Sequence, residues 1–154
     1  MEQRSRILQP EELGLLCREW LPQGREIPLL VTGNSMAPFL RDRQDTVYLR
    51  AAVQPLHVGE IAFYQRKNGQ YVLHRVCKAE NKTYTMIGDG QLEREPGIGS
   101  EQILGTVCRA ERREKIQRPG CLCWEFFARV WIRLVPLRPQ LQRMYLAVRG
   151  RIRK

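Results

Sequence analysis

Gly59-Glu60-Ile61-Ala62-Phe63-Tyr64-Gln65-Arg66-Lys67-Asn68-Gly69-Gln70-Tyr71-Val72-Leu73-His74-Arg75-Val76 reads as one β-hairpin. Two runs rich in β-branched and aromatic residues flank Asn68-Gly69, a pair that favours the tight turn whose twist matches that of its strands. The same signature recurs outward from this hairpin in Asp45 to Leu49, Lys82 to Ile87 and Ile103 to Val107, and Leu29-Leu30-Val31 forms a short buried-type strand. Glu80-Asn81-Lys82 closes a second hairpin after the strand of His74. The expected fold is therefore mainly β, a core of short, mostly antiparallel strands. Ahead of it, Pro10-Glu11-Glu12 followed by Leu13, Leu15, Leu16 and Trp20 predicts a short amphipathic helix with proline and acids in its first turn. With 154 residues and 43% hydrophobic content, the chain is long enough for one domain with a core of ordinary size.

Residues 31 to 40, Val-Thr-Gly-Asn-Ser-Met-Ala-Pro-Phe-Leu, set Ser35 in a turn just past an apolar strand and return at once to apolar character. A serine hydroxyl is a poor nucleophile unless a base takes its proton. The chain has two histidines. His57, in the turn-rich Pro55 to Gly59, reads as a solvated surface residue. His74 lies between apolar neighbours in a strand; by itself it fits a core histidine with a satisfied hydrogen bond, and in company it fits a base, since histidine's ordinary pKa of about 6.5 suits proton transfer near neutrality. Asp89, between Gly88 and Gly90, reads either as a plain turn aspartate or as a carboxylate turned toward His74, with the glycines giving the backbone access to positive φ. Arg75 points to the opposite strand face and reads as a structural partner of Asp89 or Glu95. A serine, a histidine and an acid from different strands can converge as nucleophile, base and orienter. The Ser35 N–H is then an oxyanion donor, with Gly33, Asn34 and Met36 lining the same turn.

Three segments together resemble a known family. Gly33-Asn34-Ser35-Met36-Ala37-Pro38 resembles the serine box of type I signal peptidases, Tyr71 to Val76 the strand that carries the base, in its histidine form, and Met86-Ile87-Gly88-Asp89-Gly90 the Gly-Asp box. The resemblance covers 28 to 108 with the boxes in family order. It implies a signal-peptidase-like core and a serine endopeptidase that cleaves a signal or leader peptide from a precursor. Ser35 would be the nucleophile, His74 the general base and Asp89 its orienter. Glu93 or Glu95 would stand for the acid that follows in the histidine branch, and neither metal nor cofactor is implied. The chain departs from the family in lacking an evident transmembrane anchor, and Gly33 stands where some members place a hydroxyl. Two alternatives remain: a relative of the self-cleaving repressors, which use lysine as base and carry an N-terminal DNA-binding domain, and a non-catalytic binding module of the same fold docking through its basic tail.

Charge divides the chain. Residues 1 to 108 carry 13 basic and 13 acidic side chains and residues 109 to 154 carry 13 and 3, so the net charge of +10 belongs to the C-terminal segment. An anionic surface is the expected partner of such a segment. Cys121 to Val135 is apolar except for Glu125, Arg129 and Arg133, which recur every four residues and would form one polar stripe on a helix. The run falls short of the ~20 apolar residues of a membrane span and suits an interfacial helix instead, with Trp124, Phe127 and Trp131 at headgroup level. The competing reading packs it on the protein's own core, and a nucleic-acid partner is the weakest, since no binding motif accompanies the charge. The expected organisation is an N-terminal helical segment over 1–27, a catalytic core over 28–115 and a basic helical tail over 116–154. Five cysteines without Cys-x-x-Cys spacing support neither a zinc site nor a disulfide framework. Met1 to Gln9 is polar and basic with no apolar h-region, so the expected location is a reducing cytoplasm, peripheral at the inner membrane surface if the tail docks there.

Overall fold

The computed structural model describes residues 10–152; the reading of Met1 to Gln9 and the last two basic residues lie outside them. Eight strands form one antiparallel sheet: β1 (Ile27–Leu30), β2 (Thr46–Arg50), β3 (Ile61–Gln65), β4 (Tyr71–Glu80), β5 (Thr83–Ile87), β6 (Glu95–Gly99), β7 (Ile103–Arg112) and β8 (Lys115–Gln117). The order is β1-β2-β7-β3-β4-β5-β6, with β8 on β7. The fold is mainly β, as the hairpin signals predict. The β3–β4 hairpin turns at Asn68-Gly69, where Gly69 has φ +91° and Asn68 Oδ1 accepts the Gln70 N–H at 3.0 Å. The β4–β5 turn puts both Asn81 and Lys82 at positive φ, which suits a two-residue turn. β6 and β8 escape the sequence reading because Glu95-Pro96-Gly97-Ile98-Gly99 and Lys115-Ile116-Gln117 lack the β-branched density of a strand; edge pairing holds them.

Both faces of β3 are buried, and its alternation separates two cores. Ile61 and Phe63 enter the larger one with Val47, Leu49, Val107, Met36, Phe39 and Leu40. Ala62 and Tyr64 enter the smaller one with Val72, Val76, Tyr84, Met86 and Ile98. Helix α1 (Pro10–Trp20) closes the larger core through Leu13 and Cys17, while Leu15 faces solvent.

The tail belongs to this core. A helical stretch runs through α2 (Leu122–Glu125), a π-helical turn at Phe126–Val130 and a 3₁₀ turn at Trp131–Arg133, followed by α3 (Arg138–Ile152). Glu125 and Arg129 do pair on its polar side, at 2.7 Å. The aromatic residues read as membrane-facing instead turn inward: Trp124 meets the Phe39 ring edge-on at 5.3 Å between centroids, Phe127 lies 5.0 Å from it, and Trp131 packs on Phe127. Their spacing of i, i+3 and i+7 is that of a core-facing stripe. Gly59, at φ +100°, lets the tail lie this close, since a Cβ there would sit 2.8 Å from the Ala128 carbonyl oxygen. Among the described residues no helix is long and apolar enough to cross a membrane.

Truncation after Glu114 should therefore destabilise the whole domain. Exposing Phe39 and deleting three buried aromatic residues forfeits roughly 5 kcal/mol or more, comparable to the stability of an entire small domain. Thermal unfolding should show a truncated chain that is unfolded or melts far below the full chain; equal melting temperatures would mean that the tail packing contributes nothing.

Candidate active site

The Ser35 turn is built by short-range backbone bonds over an apolar floor. Val31 donates to the Asp45 carbonyl at 2.9 Å, Ala37 to Asn34 at 3.1 Å and Leu40 to Met36 at 2.9 Å. Gly33 takes φ +82° and donates its N–H to Asp42 Oδ1 at 2.8 Å, a partner that sequence reading did not single out. Met36, Phe39 and Leu40 are buried and anchor the turn, Asn34 is exposed, and Ser35 is half-buried. Among the described residues, neither Ser35 Oγ nor the Ser35 N–H is committed to an intramolecular hydrogen bond. Met36 thus belongs to the core, and Gly33 and Asn34 shape the turn.

The Gly-Asp segment lies directly against this turn. Gly90 donates its N–H to the Ser35 carbonyl at 2.9 Å. A Cβ on Gly88 would stand 2.3 Å from that same oxygen, and one on Gly90 would stand 2.8 Å from the Ala37 carbonyl oxygen. The two glycines are required by this close approach and not by positive φ, which neither adopts.

Asp89 turns away from the role expected of it. Both its oxygens bind the Arg75 guanidinium, Nε to Oδ1 at 2.9 Å and Nη2 to Oδ2 at 2.8 Å, and both side chains are wholly buried. Arg75 Nη1 donates to the Gly59 carbonyl at 2.8 Å, and the guanidinium lies 5.1 Å from the Phe39 ring centroid. Tail residues clamp the same turn from outside. Trp131 Nε1 donates to the Asp89 carbonyl at 2.7 Å, and Arg138 Nη1 to the carbonyls of Gly88 and Gln91 at 3.0 and 2.7 Å. Asp89 is therefore the partner of Arg75, and no hydrogen bond joins it to an imidazole.

His74 sits on the other face of β4, opposite Ala62 on β3, and is 4% exposed. Its Nδ1 lies 3.4 Å from the Tyr64 hydroxyl. That hydroxyl donates to Glu95 Oε2 at 2.8 Å, and Arg66 grips Glu95 through Nε and Nη2, both at 2.8 Å. Arg66 holds the Glu95 carboxyl below its ordinary range, so the acid is ionised and can only accept. Tyr64 has spent its one proton on Glu95, and its oxygen must then accept from Nδ1–H. This assigns the proton of neutral His74 to Nδ1 and leaves the lone pair on Nε2, the tautomer a general base needs. Burial, reinforced by the nearby Arg66 charge and only partly offset by Glu95, lowers the His74 pKa to about 4, well below the value near 6.5 expected of an exposed imidazole. Glu95, read as an acid near the base, thus reaches His74 through Tyr64, while Glu93 joins no such network. Tyr64 and Arg66 were missed by sequence reading. The available signal was strand alternation: Tyr64 shares a face with Ala62 and stands diagonal to His74 across the hairpin.

No hydrogen bond joins Ser35 Oγ to His74. No group of three metal-ligating side chains occurs among the described residues. No protein-family model matches the chain, and neither a curated protein nor a solved structure matches it.

Two outcomes should follow from this geometry. His74 has a folded pKa of about 4, below its unfolded value, so its contribution to stability is complete above pH ~6.5 and is lost as pH falls to ~4, where it amounts to roughly 3 kcal/mol. Denaturant titrations at pH 7 and pH 4 should show that difference between wild type and His74→Gln, and parallel losses in both proteins would refute the lowered pKa. Asp89→Ala leaves the Arg75 charge buried without its partner and should cost about 3–5 kcal/mol. A purely orienting aspartate would leave the unfolding midpoint nearly unchanged.

Proposed function

We propose that the chain is a serine endopeptidase of signal-peptidase type, cleaving a signal or leader peptide from a precursor with Ser35 as nucleophile and His74 as general base. The observation that carries this reading is the convergence of the three segments. Ser35 accepts the Gly90 N–H, and Arg75, the strand neighbour of His74, grips Asp89 between the two glycines. Segments distant in sequence thus meet at the backbone of the Ser35 turn, whose hydroxyl is uncommitted.

The chemistry proceeds from the groups available. Ser35 Oγ attacks the scissile carbonyl while His74 Nε2 takes its proton, and the Ser35 N–H, which has no internal acceptor, donates to the oxyanion. The imidazolium then returns the proton to the leaving amine, and a water repeats the sequence on the acyl-enzyme. The positive charge that develops on His74 is met through Nδ1–H by the Tyr64 hydroxyl and, behind it, the Glu95 carboxylate. No Ser35–His74 hydrogen bond is formed: the imidazole faces the smaller core while the Ser35 turn is anchored in the larger one, so the mechanism requires substrate binding to bring the two groups together. That open bond is also the one observation in favour of the second reading, a non-catalytic binding module.

Cleavage of precursor peptides with small residues one and three positions before the bond, followed by mass spectrometry, separates the two. Ser35→Ala and His74→Ala should each lower turnover by about 10³-fold or more, and the double variant should be no worse than either single one. Activity should be level at neutral pH and fall only in acid, with a midpoint near the His74 value of about 4. Near wild-type turnover by His74→Ala would exclude it as the base, and peptide binding without cleavage by the wild type would favour the module.

A further inference from the structure

Beyond Leu141 the C-terminal helix lies exposed at the domain surface, beside Arg41. Leu141 packs against the larger core, whereas every residue from Arg143 to Ile152 is exposed. Leu141, Met144, Tyr145, Val148 and Ile152 fall at i, i+3, i+4, i+7 and i+11, which is one helical face. The stripe that begins in the core therefore continues outward with nothing on it; Met144 is 65% and Ile152 80% exposed. Tyr145, Val148 and Ile152 line an open groove of about 440 Å³ together with Arg41 and Arg149. Arg41 directly follows Leu40, the last residue of the Ser35 turn, so the groove is basic on the domain side and on the helix side. No aspartate or glutamate follows Glu125 in the sequence.

We propose that this stripe and groove dock on the surface of an anionic phospholipid bilayer. Met144, Val148 and Ile152 enter the boundary between headgroups and acyl chains, Tyr145 lies at headgroup level, and Arg41 and Arg149 hold lipid phosphates. Guanidinium forks match phosphate oxygens, and an interfacial helix combines such cations with an apolar face. Nucleic acid would neutralise the arginines and leave the aliphatic stripe in water. A second copy would cover the stripe but bring two cationic helices together. An anionic bilayer meets both demands. The inference goes beyond the proposed activity and does not depend on it, so Ser35→Ala should bind lipid as the wild type does.

The test is co-sedimentation of the full chain with vesicles of about 30% phosphatidylglycerol in phosphatidylcholine, against phosphatidylcholine alone. Wild type should bind the anionic vesicles at least about tenfold more tightly and release them between about 0.05 and 0.5 M salt. Val148→Asp with Ile152→Asp should weaken that binding about tenfold or more, and Arg41→Gln with Arg149→Gln should remove the preference for anionic lipid. All four positions lie at the surface, so melting temperatures should be unchanged and binding losses will not reflect unfolding. Absence of wild-type binding, equal binding by the aspartate variant, or a stripe-dependent dimer that ignores vesicles would each overturn the proposal.

Discussion

The buried pair of Arg75 and Asp89 is the constraint on which the rest of the structure depends. Two charges taken out of water are tolerated only when every donor and acceptor is matched. Here each carboxylate oxygen accepts from a guanidinium nitrogen and the third nitrogen donates to the Gly59 carbonyl. The match fixes where β4 lies against the Gly88–Gly90 turn. That turn in turn holds the Ser35 carbonyl and receives Trp131 and Arg138 from the tail. Because neighbouring residues on a strand face opposite ways, locking Arg75 into the larger core aims His74 at the smaller one. A slip of β4 by one residue would exchange them, burying the imidazole against Phe39 and leaving Asp89 unpaired. One residue secures the register and its neighbour is turned toward Tyr64.

The surroundings of His74 balance two opposed requirements. Burial and Arg66 disfavour the imidazolium, which keeps Nε2 unprotonated throughout the neutral range. The same effects make it a weak base, and the proposed mechanism needs the charged form to be reachable for the duration of proton transfer. Glu95 supplies the opposing charge, placed behind Tyr64 and moderated by Arg66. Tyr64 is itself held protonated, its pKa pushed upward by burial and by the hydrogen bond to Glu95, so it remains a fixed relay and not a competing acid. The carboxylate in the His74 network is therefore Glu95, reached through Tyr64, and Asp89 is spent on Arg75.

Sequence made the strands legible where local chemistry alone decides them. Asn68-Gly69 and the alternation of Ile61 to Tyr64 specify a hairpin without help from the rest of the chain, whereas β6 and β8 exist through edge pairing that no local signal carries. The candidate site divides in the same way. Ser35, His74 and Asp89 are recognisable by residue type and order, and Arg75 by its position one step from His74. Which acid joins the His74 network was not readable, because it depends on the face of β4 and on the diagonal placement of Tyr64 across the hairpin. The glycines beside Asp89 were visible as well, but their reason was not: it is the approach of a turn more than fifty residues away in sequence.

The tail shows the limit of composition most clearly, since arginine and large apolar side chains occur throughout it and serve opposite ends. Up to Arg138 one face of the tail is interior, although Leu122, Phe126, Val130 and Leu137 are exposed: Trp124, Phe127 and Trp131 fill the core, and Arg138 itself is wholly buried, its guanidinium spent on three carbonyls with Nε left unpaired. Burial lowers its pKa, and the cost of keeping the charge is offset by the nearby Asp89 carboxylate and by the three carbonyls. Past Leu141 the same residue types are exterior. Periodicity is present in both halves and identifies a face in each, but it does not say what lies against that face. Contact with the Gly88–Gln91 turn decides it: the tail is held to the domain at Trp131 and Arg138, and beyond Leu141 its apolar stripe lies exposed beside Arg41.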